Sequence, residues 1–309
     1  MGRGMNKIII VKRKTRLEEL KRRYNTIEQA KFYVEHLGAD FNDYIHEDKT
    51  YYEAVATVKN LAIKNARVLE IDREYLPNMI FGKEDIVIAI GQDGLVANTM
   101  KYLDGQPLVG INPDASRWDG ILLPFEAGDM ERMIPKIIEK NYDGKNVTMG
   151  KAESTDGQVL YAVNDFFVGV KNHTSAHYDI CFDGKKEKQS SSGVIVSTGF
   201  GMTGWHQSVM AQFRGIARAF NLGEIKEPQY SWDSNELVFQ VREPYPSRFT
   251  QAELVYGCMK QKDTLAFRSN MADNGVVFSD GILDDVIEFN AGMEVKISVA
   301  EKVGRLVIN

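Results

Sequence analysis

The sequence predicts two domains in a chain of 309 residues: an α/β domain built on a parallel sheet, then an all-β, sandwich-like domain. Three observations carry that reading. Residues 86–112 hold an apolar run, a turn with two glycines, a helical stretch and a second apolar run, which together make a βαβ unit. Ahead of it, strand and helix patterns alternate, as a layered parallel sheet requires. From residue 146 onward the style changes to short strand-like runs separated by turns. The expected boundaries are 1–125 for the first domain and 126–289 for the second, with 290–309 packing back on the first.

Residues 7–11 form the first strand, and Lys12, Arg13, Lys14 and Arg16 set four basic side chains at its carboxyl end. In a parallel sheet that end lies near a phosphate-bearing ligand, whereas a charge run by default is a solvated turn. Leu17, Leu20, Tyr24 and Ile27 recur at helical spacing, Val34 and Leu37 continue it, and Gly38 suits a helix C-terminus. Residues 51–64 repeat the helical pattern through Val55, Val58, Leu61 and Ala62. A second strand follows at 67–71 and a short amphipathic piece at 75–81. Residues 86–90 are apolar throughout, as in a strand buried on both faces. The turn Gly91-Gln92-Asp93-Gly94 leads to a helix at 96–103 and a strand at 107–111, and one more helix is expected at 126–140.

Beyond 146, strand-like runs fall at 147–149, 159–163, 166–170, 178–182 and 194–197, with Asp183-Gly184 as a hairpin signal. A helix at 207–220 interrupts them. Strand patterns resume at 237–241, 253–256, 264–267, 276–279, 286–289 and 294–299. There is no internal repeat and no low-complexity linker.

A hydrophobic content of 43% suits a sizeable core. The net charge of −5, with 38 basic and 43 acidic residues interspersed, argues against nucleic acid as a partner. Cys181 and Cys258 suggest neither a disulfide framework nor a thiolate cluster, so a reducing cytoplasm is expected. The apolar core of residues 1–14 spans only 8–11, too short for a signal peptide, and no apolar run is long enough for a bilayer. Met1-Gly-Arg-Gly ahead of Met5 reads as an extension from a vector or an upstream start.

Asp93 carries two readings. Between two glycines at a helix start, its carboxylate suits an N-cap that accepts amide hydrogen bonds. It also suits a base that deprotonates a hydroxyl beside phosphates held by backbone amides. Asn164-Asp165 closes a strand pattern with side chains able to hold vicinal hydroxyls, although such a pair is commonly a turn former.

Gly199-Phe-Gly201-Met-Thr-Gly204 matches a dinucleotide fingerprint, but residues 216–229 lack the second apolar strand ending in an acidic residue. The segment remains a glycine-rich turn against a ligand or a packed neighbour. His173 and His177 have helical metal-ligand spacing in a context that reads as a polar loop. His206 reads as a cap or surface residue. No Walker lysine motif and no nucleophile elbow is present.

Together these pieces resemble the NAD kinase family, especially its mitochondrial-type branch. The family's Gly-Gly-Asp-Gly-Thr turn corresponds to Gly91-Gln92-Asp93-Gly94-Leu95, and its following Gly-hydrophobic-Asn strand end to Gly110-Ile111-Asn112. Its Asn-Glu pair corresponds to Asn164-Asp165, and its Ser-Thr-x-x-Gly-Ser turn to the stretch from Ser197 to Trp205. The branch adds Lys12-x-x-Thr15-Arg16, the run Lys188-Gln189-Ser190-Ser191-Ser192-Gly193, and Val241-Arg242-Glu243-Pro244.

The resemblance implies transfer of the γ-phosphoryl of ATP to the 2′-hydroxyl of the adenosine ribose of NAD, giving NADP. On it, Asp93 is the general base. Gly91, Gln92 and Gly94, with Mg2+ and with Lys12 and Arg16, hold the ATP phosphates. Asn164, Asp165, Ser192, Thr203, Gly204 and Trp205 bind NAD. It also implies a site in a cleft between the domains and a homodimer or higher homo-oligomer. Gln92 in place of a glycine and Leu95 in place of threonine motivate two other readings: a non-catalytic nucleotide-binding or sensor protein, and a kinase for another sugar or nucleoside hydroxyl.

Overall fold

The structure, a computed structural model, describes residues 7–309 apart from Trp118, Glu227 and the side chain of Asp284; the Met1-Gly-Arg-Gly extension lies outside the described residues. Two compact units divide it, one of residues 7–145 with Arg305–Asn309, the other Asn146–Gly304.

The first unit contains β1 (Lys7–Lys12), α1 (Arg16–Tyr24), α2 (Ile27–His36), α3 (Phe41–Ile63), β2 (Arg67–Asp72), β3 (Ile86–Ile90), α4 (Asp93–Met100), β4 (Pro107–Asn112), β5 (Phe125–Glu126) and α5 (Met130–Ile138). Its strands pair in parallel in the order β2-β1-β3-β4, with β5 on β4. Both sheet faces are covered. Ile8, Ile10, Ile86, Ile88, Ile90, Val109 and Ile111 share one core with Tyr51, Val55 and Val58 of α3 and Met130, Met133 and Ile134 of α5. The alternate residues Ile9, Val11, Val87 and Ala89 are equally buried, and α4 packs on β3 and β4 outside that core. With β2 on one side of β1 and β3 on the other, the winding reverses between β1 and β3. The carboxyl ends of those two strands therefore form the crevice where open α/β sheets receive ligands.

Helix bounds differ from the periodicity for identifiable reasons. The helical run after β1 is split, because Asn25 turns left-handed (φ 62°) and Thr26 then caps α2 through the amide of Gln29. α3 is 23 residues long and not confined to 51–64, since its first half carries Asp43, Glu47 and Asp48, and Glu47 fills a place in the buried stripe. Residues 73–78 form a 3-10 turn. The helix expected at 126–140 is shortened because Phe125 and Glu126 pair with β4. α5 then shares the core of α3, so the division between units falls at 145/146, one helix after the expected 125/126.

The second unit contains β6 (Gly144–Ser154), β7 (Val159–Ala162), β8 (Asp165–Val170), β9 (Ala176–Phe182), β10 (Lys185–Ser191), β11 (Val194–Thr198), α6 (Trp205–Ala219), β12 (Glu236–Val241), β13 (Tyr256–Lys260), β14 (Leu265–Ser269), β15 (Gly275–Ser279), β16 (Ile282–Glu288) and β17 (Glu294–Val307). One antiparallel sheet runs β13-β12-β11-β8-β15-β16, and the other orders β10-β9-β14-β17 with β6 and β7 beyond. Alternate residues from both sheets meet in one core: Phe166, Val168, Val194, Val196, Leu237 and Phe239 against Tyr178, Ile180, Leu265, Phe267, Val295 and Ile297. That is a sandwich.

β10 carries no apolar alternation and pairs with β9 through the expected Asp183-Gly184 turn, whose φ angles of 48° and 74° suit a hairpin. The strand expected at 253–256 lies instead at Tyr256–Lys260, set by its pairing with Glu236–Gln240 of β12. β17 outruns its expected end, and Arg305 and Leu306 pair with Pro107 and Leu108 of β4 in the first unit. Among the described residues no helix is long and apolar enough to cross a membrane.

Candidate functional site

In the first unit, the turn Gly91-Gln92-Asp93-Gly94 stands at the carboxyl end of β3, on the reversal point of the sheet. The Gly91 amide donates to Ile111 O at 3.1 Å, which ties the turn to β4. α4 begins at Asp93 and ends at Met100, three residues earlier at each end than its apolar spacing suggests. Gln92 occupies the N-cap position without a side-chain cap bond. The first amides of α4 therefore look outward with the positive end of the helix dipole.

Asp93 does not cap its own helix. Its Oδ2 accepts from the Ile121 amide at 3.0 Å and its Oδ1 from the Leu122 amide at 2.8 Å. Gly110 seats the same loop: a Cβ there would come within 1.8 Å of Leu122 O. Carboxylate and glycine thus hold residues 121–122 against β3 and β4. Each carboxylate oxygen keeps a second lone pair for another partner.

The basic residues after β1 separate into two kinds. Lys12 pairs with Glu70 at 3.2 Å, Lys14 with Glu74, and Arg16 with Asp43 and Glu47. Arg117 joins the same Asp43, and the Arg117 and Arg16 guanidiniums hold that carboxyl down to about 2. Burial alone would raise Glu47, but bonds from Arg16 and Arg13 outweigh it and keep the group below the usual carboxylate range.

Arg13, part of the basic run the sequence places at the end of β1, is the exception. Its Nη1 donates to Lys14 O and its Nη2 to Glu47 Oε1, both at 2.9 Å, while its buried Nε has no partner among the described residues. Its side chain lies over Gly91, whose added Cβ would sit 3.4 Å from Arg13 Cδ and 3.5 Å from Nε. Only its place one residue past a parallel strand signalled this.

In the second unit, Asn164 and Asp165 enter β8 beside the turn that follows β11. Asn164 O accepts from the Thr198 amide at 2.9 Å, and Thr198 Oγ1 donates to Val163 O. Asp280, at the β15–β16 hairpin tip, accepts from the amides of Val163, Asn164 and Asp165, closest at 2.6 Å to Asn164. The Asp165 carboxyl is buried. Burial pushes it up to about 7, and the nearby Asp280 carboxylate adds to the effect. The glycines of Gly199-Phe-Gly201 are packing positions: a Cβ would approach Ser231 O to 2.1 Å at Gly199 and Asn164 O to 2.0 Å at Gly201.

Trp205 stacks on Phe167, centroids 5.6 Å apart, and Arg242 lies 5.3 Å over its indole. The Ser192 amide donates to Arg242 O at 2.9 Å, so Arg242 links Ser192 to Trp205. The run Val241-Arg242-Glu243-Pro244 was its signal in the sequence. Thr203 and Gly204 are exposed.

His206 is neither cap nor surface residue. It is buried, and its Nδ1 meets the Gln240 amide, because α6 turns that side chain inward against β12. His177 lies in β9 opposite Ser190, which removes the helical spacing from His173. Among the described residues no group of three His, Cys, Asp or Glu forms a metal cage.

No family model matches the chain, and no curated protein does. Among solved structures, the fold matches a yeast NADH kinase complexed with NADH, with a TM-score of 0.59 and 13% identity over 99% of this chain and 84% of that one. At that identity the likeness establishes the architecture: a parallel α/β sheet joined to an antiparallel sandwich.

Proposed function

We propose that this chain is an ATP-dependent phosphotransferase of the NAD kinase type, acting on the 2′-hydroxyl of the adenosine ribose of NAD or NADH. The observation that carries the reading is the placement of Gly91-Gln92-Asp93-Gly94 at the reversal point of a parallel sheet, in a fold shared with an NADH kinase. Phosphoryl transfer asks a protein for alignment and charge neutralisation more than for covalent chemistry. The outward amides of the turn supply anion contacts. Asp93 takes the proton of the attacking hydroxyl, a ribose O–P bond forms to the γ-phosphorus, and the bond from that phosphorus to the bridging oxygen breaks, releasing ADP.

Magnesium fits this donor set as an ion carried in on the triphosphate, since it keeps waters and phosphate oxygens and needs one or two carboxylates. When bound it neutralises phosphate charge, and Asp93 is the carboxylate at the turn able to face it. Asn164, Asp165, Ser192, Thr203, Gly204 and Trp205 are assigned to the acceptor dinucleotide. Asp165 is suited to that task because a carboxyl that still holds its proton near neutrality can donate to a ribose oxygen as well as accept. The mitochondrial-type branch and a homo-oligomeric state belong to the same proposal; light scattering measures the latter.

The test is NADP formation from ATP, Mg2+ and NAD or NADH, with Asp93→Asn compared at equal folded concentration. The variant should lose turnover by roughly a hundredfold or more, as expected for a general base. Turnover unchanged by Asp93→Asn removes the base assignment. A second reading, a nucleotide-binding protein without turnover, is favoured by the amides of Ile121 and Leu122 on both Asp93 oxygens. Tight NAD or NADP binding with no product supports it. ADP release with a different hydroxyl acceptor and none with NAD moves the proposal to another sugar or nucleoside.

A further inference from the structure

We infer that Arg117 is a positioning residue for Asp93: by clamping Asp43 it seats the loop whose backbone amides hold the Asp93 carboxylate. That Asp93 is a base rests on the phosphotransferase reading above; the clamp itself rests on geometry. Between β4 and β5, the described residues of 113–124 form neither helix nor strand. Among them the backbone bonds are short-range turns, Arg117 N to Asp114 O at 3.1 Å and Leu123 N to Gly120 O at 3.3 Å. A segment of this kind has no ladder to fix it. Yet its far end supplies both amides that Asp93 accepts, Ile121 at 3.0 Å and Leu122 at 2.8 Å.

Arg117 sets where those amides stand. Its Nη1 donates to Asp43 Oδ2 at 3.2 Å and its Nη2 to Asp43 Oδ1, a two-pronged pair that fixes direction as well as distance. Its Nε lies 3.6 Å from Asp114 Oδ2, at the near end of the same loop. Asp43 stands in the first turn of α3 and also takes Arg16 Nη2 of α1 at 2.8 Å. Arg16 in turn meets Glu47, and Glu47 holds Arg13 at the end of β1. The loop is thus tied into a run of alternating charges that reaches the strand beside β3. A lone exposed ion pair contributes little, but a bidentate pair inside a network is the case where geometry counts. The Arg117 and Arg16 guanidiniums hold Asp43 down to about 2, so the clamp is charged at neutral pH. Four peptide steps separate Arg117 from Ile121, a reach of at most about 14 Å, so pinning one confines the other. With one fixed amide on each oxygen, the Asp93 carboxylate keeps a fixed plane and its remaining lone pairs a fixed direction.

The experiment compares the wild type, Arg117→Ala, Arg117→Lys, Asp43→Asn and the Arg117→Ala, Asp43→Asn double variant. Each is followed by amide hydrogen exchange, by calorimetric binding of ATP and NAD, and by NADP formation with Mg2+. In Arg117→Ala, exchange at Ile121 and Leu122 should quicken by roughly tenfold or more while the β1 and β3 amides keep their rates. Its kcat should fall by roughly ten- to a hundredfold, the scale of a misplaced reacting group, with nucleotide affinity unchanged because Arg117 holds the base and not the nucleotide. Arg117→Lys keeps the charge without the fork and should recover part of that kcat; it also stands in if the alanine variant fails to fold. The double variant should be no slower than the slower single one, since both remove the same contact. Wild-type exchange at Ile121 and Leu122 in the Arg117 variants, losses that multiply in the double variant, or nucleotide affinity falling in step with kcat overturns the inference. The two proposals fail separately. A wild type that makes no NADP ends the kinase reading, and exchange at Ile121 and Leu122 then decides whether Arg117 seats the loop. NADP formation that is lost in Asp93→Asn and undiminished in Arg117→Ala keeps the kinase and ends the role of Arg117.

Discussion

The chain contains two strand–glycine turn–helix passages, β3 to α4 in the first unit and β11 to α6 in the second, and their glycines do opposite things. At Gly199 and Gly201 the space of the missing Cβ is taken by backbone, the carbonyls of Ser231 and Asn164. At Gly94 nothing stands within 4 Å, and at Gly91 the neighbours are the side chains of Leu95 and Arg13. The first two glycines of the turn that matches a dinucleotide fingerprint are thus closed by backbone, whereas Gly94, in the turn that matches no such fingerprint, faces open space. A glycine pattern reports that something comes close; only the neighbours say whether it is protein or ligand.

The largest consequence is at Gly201. An alanine methyl would meet Asn164 O at 2.0 Å, a backbone atom that cannot swing aside. Gly201→Ala should lose about 3 kcal/mol or more in urea unfolding, in the range of overpacked cores. A loss below about 1 kcal/mol would mean that this turn is not closed and that the contrast fails.

The carboxyl groups beside the two turns sharpen the contrast. Asp165, next to the closed turn, is buried with its proton affinity raised to about 7 from an ordinary 3.8. The folded state then binds protons more tightly than the unfolded one. Its contribution to stability is whole below about pH 4 and is lost as pH climbs through 7. Asp165→Asn removes that slope. The variant should match the wild type near pH 4 and exceed it at pH 8 by about 1–3 kcal/mol, under the ~4 kcal/mol ceiling set by the full shift. Unfolding at both pH values checks it, and equal stability changes at the two would contradict the burial argument.

Asp93, beside the open turn, has two amides to hold. Asp93→Asn keeps one acceptor and turns an NH2 toward the other amide, for a cost of about 1–2 kcal/mol. Hydrogen exchange should quicken at Ile121 and Leu122 specifically. Uniform change across the first unit would instead indicate general loosening.

What the sequence disclosed follows from which interactions leave a period in it. β1, β3 and β4 were legible because strands buried on both faces are unbroken apolar runs, and the inward faces of β8, β11 and β12 alternate. β10 was missed because it is polar throughout and is held to β9 by backbone pairing, and the front half of α3 because ion pairs occupy its buried stripe. The Gly91–Gly94 turn and Asp165 could be named from local pattern. The partners of Asp93 and the unpaired Nε of Arg13 could not, since they lie 28 and more residues away in sequence and carry no spacing rule.

The smallest effect is the most discriminating. Gly94 is the second residue of α4, has no positive φ and has open space where a Cβ would go. By helix propensity alone, Gly94→Ala should raise stability by about 0.5–1 kcal/mol, through the lower entropy of the unfolded chain. The same methyl projects into the space from which the α4 amides face a ligand. Phosphate affinity should therefore drop while the melting temperature rises, a pairing that packing glycines such as Gly201 cannot produce. A variant that is both more stable and fully competent in nucleotide binding would show that the open side of this turn is merely solvent, and the two glycine passages would differ in packing but not in purpose.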